Sequence, residues 1–521
     1  MTTLGGLIPA MLAARGFDTV FGIPGVHTVE MYRGLANSGL RHVTPRHEQG
    51  AGFMADGHAR ATGRPAACFI ITGPGMTNIA TAMGQAYGDS IPMLVISSVG
   101  PEAARGRGGL HEMKDQLATL SGVSGLSLQA EDAAGLASAL DAAMDLFASA
   151  RPRPVHIQIP IDRLAAEAGA APPPRAPVLP PAATGAALAE AAAILNRAAR
   201  PLLILGGGAR GLGPDARRLA EALGAPVLMT ANGRGLLPPA HPLNAGGELF
   251  AVGARRLMAE SDAALALGCE FGPTDWAWNG EPDPEFGGAL IRVDIDAAQL
   301  RIGPPAALAL HAGAAGFARA LLPLVARAPA APRPLPAPGL GLEPRIARHL
   351  PLLEAIWDAM PEAMIFGDST EPAYAAHAAA RPPATGLWAS SATGFGTLGY
   401  ALPAAIGASL AAPGRPAVAL AGDGGALFTI AELAAAAEAR APVALLLWNN
   451  AGYGEIRWWM EDAGVAPEGV ALSPVDFAAL AKGFGAGYAR AGSVAEAVSA
   501  LRAVRSGPVV IEMREGEFRF G

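Results

Sequence analysis

The chain has 521 residues, of which 51% are hydrophobic and only 16% are charged, with a formal net charge of −7. This length predicts about three domains, and the charge excludes the basic surface by which proteins bind nucleic acid. The two cysteines provide no disulfide framework, the N-terminus lacks the basic start of a signal peptide, and no apolar run reaches membrane-spanning length. We therefore expect a cytoplasmic protein that binds neither membranes nor nucleic acids.

Two proline-rich segments divide the sequence into three blocks. Residues 170–183 and 328–344 cannot form central strands or continuous helices, because proline lacks an amide donor and clashes with the preceding turn. They predict domains at residues 1–169, 184–327 and 345–521. In every block apolar strand candidates alternate with helical patterns, which predicts three doubly wound α/β domains with parallel sheets.

The first block contains four buried strand candidates and one acidic helix start. The strand candidates are residues 18–22, 67–72, 92–97 and 154–159. Between the first two, the sequence Arg46-His47-Glu48-Gln49-Gly50 indicates a helix whose first turn presents Glu48. On these residues alone, Glu48 is best explained as an acid that complements the helix dipole.

The middle block repeats this alternation without a clear ligand motif. Its strand candidates are residues 200–208, 225–230, 263–268 and 289–295. Gly206-Gly207-Gly208 ends the first of them, but GGGARG does not match the GxGxxG spacing of dinucleotide sites, and no suitable acid follows. The block therefore predicts a further α/β domain and no more.

The third block begins with a strand candidate at residues 363–367 and two loops that present polar groups. Asp368-Ser369-Thr370 follows that strand, and its hydroxyl and amide groups are suited to phosphate oxygens. Further along, the GTLG sequence that begins at Gly396 and contains Leu398 precedes an apolar helix. GTLG is explained equally well as a ligand turn and as a loop before a buried helix.

Residues 422–450 predict a strand end, a turn, a helix and a second strand. Because both strands of such a unit are parallel, Asp423 and Asn450 are expected at the same edge of the sheet. Gly422, Gly424 and Gly425 would let a diphosphate approach the backbone and the positive end of the helix. Oxygen ligands beside phosphates suit Mg²⁺. The alternative is an ordinary βαβ unit in which Gly-Asp-Gly is only a tight turn.

The GDG motif and the Asn pair at residues 449–450 resemble the cofactor motif of the thiamine-diphosphate (ThDP) enzymes, the family of acetolactate synthase and the 2-oxo acid decarboxylases. The resemblance implies that the Asp423 carboxylate, the Asn450 side chain and the Gly452 main-chain oxygen hold Mg²⁺. It also implies that Leu398 supports the bent coenzyme. The remaining coenzyme contacts that it implies are Ser369, Thr370, Gly396, Gly422, Gly424, Gly425 and Tyr453.

The first block resembles the pyrimidine-binding domain of the same family, from FGIPG through RHEQGAGFMADGHARATG to TGPGMTN. Glu48 stands where that family has the glutamate that bonds to N1′ of the pyrimidine and activates the coenzyme. The domains would then be pyrimidine-binding, central and diphosphate-binding in chain order. Because different subunits supply the two outer domains of each site in this family, a homodimer or homotetramer is implied, with Glu48 in one site and Asp423 in another.

The central domain holds FAD in acetolactate synthases. Residues 268–279 (GCEFGPTDWAWN) lack the Arg- and Asp-rich turn expected after this strand in FAD-binding members. We therefore expect no FAD and a structural role for this domain.

The reaction type depends on residues near the substrate. At two positions where the decarboxylases carry proton-relay residues, this chain has Val26 and Ile71-Thr72, as in acetolactate synthase. His111 stands where the synthases usually have glutamine, which makes it a candidate polar group near the substrate. A partly exposed loop histidine is at least as good an explanation of His111.

Four segments, FGIPGVHTVEMYRGL, RHVTPRHEQGAGFMADG, GDST and NNAGYGEIRWWM, resemble the branch of the family that decarboxylates 5-guanidino-2-oxopentanoate. A carboxylate suits the guanidinium of that substrate, and Glu455 is the candidate. Alternatively, Glu455 is a helix-start acid paired with Arg457 or solvent. We expect a ThDP-dependent 2-oxo acid decarboxylase. The alternatives are a carboligase similar to acetolactate synthase and a non-catalytic, ThDP-binding regulatory homologue, against which Glu48 argues because binding alone needs no acid at N1′.

Overall fold

Over the residues that it describes, the computed structural model contains three six-stranded sheets in which every strand pair is parallel. Apolar side chains pack on both faces of each sheet. This architecture confirms the predicted α/β class, whereas the predicted domain limits stay predictions. The described residues are 2–247, 249–276, 282–326, 334–335 and 342–520, so most of the second proline-rich segment lies outside them.

The N-terminal sheet has the strand order β2-β1-β3-β4-β6-β5. Its strands are β1 Thr19–Gly22, β2 Arg41–Val43, β3 Ala67–Ile70, β4 Leu94–Val99, β5 Leu126–Gln129 and β6 Val155–Pro160. The helices of this unit are α1 Leu4–Ala13, α2 Val29–Tyr32, α3 Glu48–Thr62, α4 Pro74–Gly88, α5 Gln116–Ser121, α6 Ala133–Ser149 and α7 Ile161–Leu164.

The central sheet has the order β12-β11-β10-β7-β8-β9. The chain order of its strands changes direction between the neighbouring strands β7 and β10. Its strands are β7 Pro201–Leu205, β8 Val227–Met229, β9 Asn244–Gly246, β10 Ala263–Leu267, β11 Ala289–Asp294 and β12 Leu308–His311. Its helices are α8 Gly185–Arg197, α9 Pro214–Leu223, α10 Val252–Glu260, α11 Pro273–Trp276 and α12 Ala314–Leu321. Residues 277–279 of the segment on which the absence of FAD was predicted lie outside the described residues.

The C-terminal sheet repeats the order of the N-terminal one, β14-β13-β15-β16-β18-β17. Its strands are β13 Met364–Gly367, β14 Trp388–Ser390, β15 Ala417–Gly422, β16 Val443–Asn449, β17 Gly487–Arg490 and β18 Val509–Arg514. Its helices are α13 Pro344–Ala347, α14 Leu350–Ala359, α15 Glu371–Ala379, α16 Ala401–Ala411, α17 Asp423–Ala426, α18 Glu432–Glu438, α19 Gly454–Asp462, α20 Phe477–Gly483 and α21 Val494–Ala503.

The helical stretch after β15 is divided into two helices, where the sequence predicted a turn and one helix. Asp423 begins α17, and residues 427–431 separate it from α18. In this connection the Thr429 hydroxyl donates a hydrogen bond to the Gly399 carbonyl oxygen (2.8 Å), which ties it to the GTLG loop. The division places Glu432 at the start of α18.

Helices α3 and α16 join the N-terminal and C-terminal units. A Cβ atom on Gly57 would lie 1.9 Å from the Ala404 carbonyl oxygen, and one on Gly407 would lie 1.9 Å from the Met54 carbonyl oxygen. Only glycine permits two helix backbones to approach this closely. The helix that begins at Glu48 is therefore packed directly against the C-terminal unit of its own chain.

A buried polar network strengthens the same junction. Arg60 Nε lies 2.6 Å from Asp56 Oδ1 within α3, and the Tyr400 hydroxyl donates to the same oxygen (2.7 Å). Arg60 also pairs with Asp89 at 2.5 Å. Because buried charges are tolerated only when they are paired, the bond from Tyr400 of the C-terminal unit to Asp56 stabilises the contact between the two units.

None of the helices in the described ranges is long and apolar enough to cross a membrane.

Candidate active site

A cavity of about 300 Å³ opens beside the loops that follow β13, β15 and β16. β13 and β15 are neighbours in the sheet, and the strands that follow them along the chain are added on opposite sides of this pair. Ligands of open α/β sheets bind at such a point, where the strand order changes direction. All lining residues belong to the C-terminal unit. Those predicted to contact the coenzyme are Ser369, Thr370, Gly396, Leu398, Gly422, Gly424, Gly425, Asn450, Gly452 and Tyr453.

Three oxygen atoms converge at one side of this cavity. The Asn450 amide oxygen lies 3.1 Å from Asp423 Oδ1 and 2.8 Å from the Gly452 carbonyl oxygen. Adjacent ligands of octahedral Mg²⁺, each at ~2.1 Å from the metal, are about 3 Å apart. With the amide turned over, its nitrogen would instead donate to the same two oxygens. The donor set and its spacing therefore fit Mg²⁺.

The backbone and the surroundings of these oxygens are those of a ligand site. Ala451, between two of the three residues, has a left-handed backbone (φ 58°), a strained conformation that is concentrated at ligand-binding loops. Burial raises the pKa of Asp423, although backbone amides including that of Asn450 (3.3 Å) act in the opposite direction. A cation at this position would favour the ionised carboxylate.

Asp368 links two of the loops around the cavity and was not among the predicted site residues. Its buried carboxylate accepts hydrogen bonds from the backbone amides of Ser369 (2.9 Å) and Gly399 (2.7 Å). Burial raises its pKa to about 6. The signal in the sequence was an acid directly after a buried strand. Asp368 holds the GTLG loop against the loop that carries Ser369 and Thr370.

Glu48 lies outside the walls of this cavity. It begins α3 in the N-terminal unit, and its Oε2 accepts a hydrogen bond from Asn78 Nδ2 (2.9 Å), in the TGPGMTN segment. The structure therefore brings the three oxygens together within the C-terminal unit, with Asn450 and Gly452 in the cavity wall, but leaves Glu48 of the same chain apart from the cavity.

His111 is in contact with a second histidine that sequence reasoning did not select. The rings of His27 and His111 meet edge to face with centroids 5.2 Å apart. Within the described part of the chain, the Nδ1 atoms of both rings are buried without a hydrogen-bond partner. His111 also has a left-handed backbone (φ 63°). Burial and the proximity of His111 lower the pKa of His27.

Glu455 lines the cavity and binds an arginine of the same chain. Arg345 Nη1 donates to Glu455 Oε2 (2.7 Å), and Arg345 Nη2 lies 3.3 Å from the other carboxylate oxygen. The indole nitrogen of Trp459 donates to Glu455 Oε1 (3.0 Å). The Arg345 guanidinium carbon is 4.3 Å from the ring centroid of Trp458. The partner of Glu455 is therefore Arg345 and not Arg457, which sequence reasoning had considered.

The bonded cluster around Arg345 has more acidic than basic groups. Glu343, Glu371, Glu455 and Glu515 pair with two guanidinium groups, those of Arg345 and Arg348. Burial opposes ionisation of Glu371, but hydrogen bonds from His349 and Arg348 outweigh it and lower its pKa. Glu371 and Glu455 line the cavity and are themselves paired with these guanidinium groups. This acidic wall of the cavity therefore belongs to a cluster that has two more carboxylates than guanidinium groups.

Comparison with known proteins assigns all three units. Family models of thiamine pyrophosphate enzymes, in which thiamine pyrophosphate is another name for ThDP, match residues 2–119 (N-terminal TPP binding domain), 188–321 (central domain) and 369–513 (C-terminal TPP binding domain). These matches confirm the resemblance on which the coenzyme was predicted.

Curated relatives match over most of their length. The chain is 45% identical to the probable 2-ketoarginine decarboxylase AruI of Pseudomonas aeruginosa, over 98% of this chain and 94% of that protein. It is 32% identical to the acetolactate synthase isozyme 1 large subunit of Escherichia coli K12, over 96% and 92%. It is also 32% identical to the acetolactate synthase large subunit of Parasynechococcus marenigrum, over 93% and 82%. The chain therefore belongs to the family of thiamine pyrophosphate enzymes.

Proposed function

We propose that the protein is a Mg²⁺- and ThDP-dependent decarboxylase of 5-guanidino-2-oxopentanoate (2-ketoarginine), which it converts to the corresponding aldehyde and CO2. The observation that carries the proposal is that one cavity is lined by Asn450 and Gly452, whose oxygens form a set with the Asp423 carboxylate, and also by Glu371 and Glu455. The 45% identical relative named as a probable 2-ketoarginine decarboxylase supports the same substrate.

The oxygen set would hold Mg²⁺ against the diphosphate of the coenzyme. Ser369, Thr370 and the glycines of the cavity wall would contact the phosphate oxygens, and Leu398 would support the bent coenzyme. Bound ThDP supplies a thiazolium that accepts the electrons left when CO2 departs. Glu48 would bond to N1′ of the pyrimidine and share a proton with it. Because Glu48 lies outside the cavity of its own chain, we propose a homodimer or homotetramer in which the partner's Glu48 completes each site.

The acidic wall of the cavity would recognise the guanidinium of the substrate. The contacts of Arg345 demonstrate that a guanidinium fits between the Glu455 carboxylate and the Trp458 ring. The excess of carboxylates in this cluster favours the binding of one further cation. An aliphatic 2-oxo acid gains nothing from that charge, so the cavity is expected to prefer basic over aliphatic substrates.

A substrate panel tests the reaction. The purified chain is mixed with ThDP, Mg²⁺ and one of three 2-oxo acids, namely 2-ketoarginine, its uncharged analogue 2-oxohexanoate, and pyruvate, and CO2, aldehyde and acetolactate are measured. We expect rapid release of CO2 and aldehyde from 2-ketoarginine only. Equal turnover of 2-ketoarginine and 2-oxohexanoate would contradict the proposed specificity.

The substitution Glu455→Gln tests the recognition of the guanidinium. It removes the charge but keeps the shape of the side chain, so KM for 2-ketoarginine should rise on the order of tenfold, as expected for one charge-assisted pair, while KM for 2-oxohexanoate changes little. Glu461→Gln, at an exposed position of the same helix α19, is the matched control. An equal rise for both substrates would remove Glu455 from this role.

A second candidate function is carboligation of two 2-oxo acids. It is favoured by Val26 and Thr72 at the positions of the decarboxylase proton-relay residues, and by the acetolactate synthase subunits among the relatives. The same panel separates the two functions, because a carboligase would form acetolactate from pyruvate.

A further inference from the structure

The carboxylate of Glu432 binds the turn that leads into helix α3. The backbone amide of Arg46 lies 3.0 Å from both Oε1 and Oε2 of Glu432, and the amide of His47 lies 3.0 Å from Oε1. Arg46 and His47 directly precede Glu48, the first residue of α3. An acid of the C-terminal unit therefore holds the backbone from which the N-terminal unit presents Glu48.

The contact between Glu432 and helix α3 is closely packed. The Glu432 side chain is buried, with the whole residue 1% exposed. A Cβ atom on Gly50 would lie 2.2 Å from Glu432 Oε1, so the first turn of α3 rests directly on the carboxylate. Without this acceptor, the amides of Arg46 and His47 would lose their partner inside the protein, and the turn would no longer be bonded to α18.

Ionisation of the Glu432 carboxylate is unfavourable in its buried position. Burial raises the pKa of Glu432 to about 7, the amides of Arg46 and His47 act in the opposite direction, and the nearby charge of Glu48 adds to the rise. The Arg46 side chain also forms an ion pair with Glu438 at the end of α18, but the Glu438 side chain is 63% exposed, and an exposed pair contributes little to holding the turn. A buried acid with two specific backbone partners points to a positioning role.

We propose that Glu432 is a positioning residue for Glu48: by holding the amides of Arg46 and His47 it fixes the orientation in which the Glu48 carboxylate meets the coenzyme. The inference rests on the proposed role of Glu48. Misplacement of a reacting group by a fraction of an ångström slows a reaction without weakening substrate binding, so loss of Glu432 is expected to lower kcat rather than to raise KM.

Four full-length variants test the proposal with saturating ThDP and Mg²⁺: Glu432→Gln, Glu438→Gln, Glu48→Gln and the double variant Glu48→Gln with Glu432→Gln. Glu432→Gln should lower kcat on the order of tenfold with little change in KM. Glu438→Gln changes the exposed acid of the same helix and is the matched control, with kcat expected to stay near that of the unmodified protein. If Glu432 acts through Glu48, the double variant is no slower than Glu48→Gln alone.

Hydrogen exchange of the coenzyme-free protein gives a readout that does not depend on turnover. The amides of residues 46 and 47 should exchange slowly in the unmodified protein and in Glu438→Gln, and on the order of tenfold faster in Glu432→Gln. The amides in the middle of α3 should remain protected in all three. This pattern separates local release of the turn from general loss of stability.

If Glu432→Gln does not fold, Gly50→Ala replaces it. The added methyl group displaces the first turn of α3 from an intact Glu432 carboxylate, so the same loss of kcat and the same faster exchange are expected. Unchanged exchange at residues 46 and 47 with unchanged kcat would overturn the proposal, as would multiplicative losses in the double variant. Full turnover by Glu48→Gln would instead refute the proposed role of Glu48.

Discussion

Arg345 binds the carboxylate of Glu455, which sequence reasoning assigned to the recognition of the substrate. It bonds to Glu455 across 110 residues of sequence, and its guanidinium also contacts Glu371 (3.5 Å) and Glu343 (2.8 Å). No local sequence pattern predicts such a pair, because it forms only when α13 and α19 meet in the folded chain. The proposed metal ligands, in contrast, could be predicted from a motif, since a strand-helix-strand unit fixes their placement.

Replacement of Arg345 by Gln tests whether this side chain competes with the substrate. The substitution removes one positive charge from the acidic wall, so KM for 2-ketoarginine should fall severalfold while KM for 2-oxohexanoate stays nearly constant. Steady-state kinetics on both substrates provides the measurement, with Arg457→Gln on α19 as control. A higher KM for 2-ketoarginine would show that Arg345 orients Glu455 instead of competing for it.

The contact between His27 and His111 predicts that proton binding by His27 depends on His111. Burial and then the influence of His111 lower the pKa of His27. In His111→Gln only burial remains, so the pKa of His27 should rise towards its ordinary value of 6.5 without reaching it. An NMR titration of the imidazole signals measures this shift, and His311→Gln in the central unit should leave it unchanged. No change in His111→Gln would mean that His111 does not influence the pKa of His27.

At the scale of elements, the strands that sequence reasoning named are central and those it missed are mostly at edges. The edge strands of the three sheets, β2, β5, β9, β12, β14 and β17, were all unpredicted. They are short, with three or four residues each, and several are partly exposed, so they show no apolar run. The interior strand β18 was also missed, because it carries the buried Glu512 within its apolar run.

The contact between α18 and the turn before α3 predicts a pH dependence of stability. The pKa of Glu432 is raised from 4.5 to about 7 in the folded chain, so between these values the folded protein retains a proton that the unfolded chain releases. The free energy of unfolding should therefore fall as pH rises through this window. In Glu432→Gln this part of the dependence disappears, and urea unfolding at about pH 5 and about pH 7 detects the flatter slope. Glu438→Gln should keep the slope of the unmodified protein.

At the scale of the whole molecule, placement of Glu48 outside the cavity predicts complementation between two inactive variants. Glu48→Gln and Asp423→Asn are each expected to lose nearly all activity, since one lacks the activating acid and the other a proposed metal ligand. Coexpression should restore about one quarter of the activity, because half of randomly paired dimers are mixed and each mixed dimer has one intact site. Activity per subunit and mass by light scattering provide the measurement. No recovery in mixed dimers would place both residues in the same chain's site.

The cavity walls come from a single unit of the chain, and this has a consequence for assembly. A coenzyme whose phosphate end is held by one polypeptide and whose ring end is held by another binds the pair better than either alone. Mass action then makes the cofactor a stabiliser of the association itself. The supply of vitamin B1 would thereby govern how long two copies of this protein remain together, and not only how fast they work.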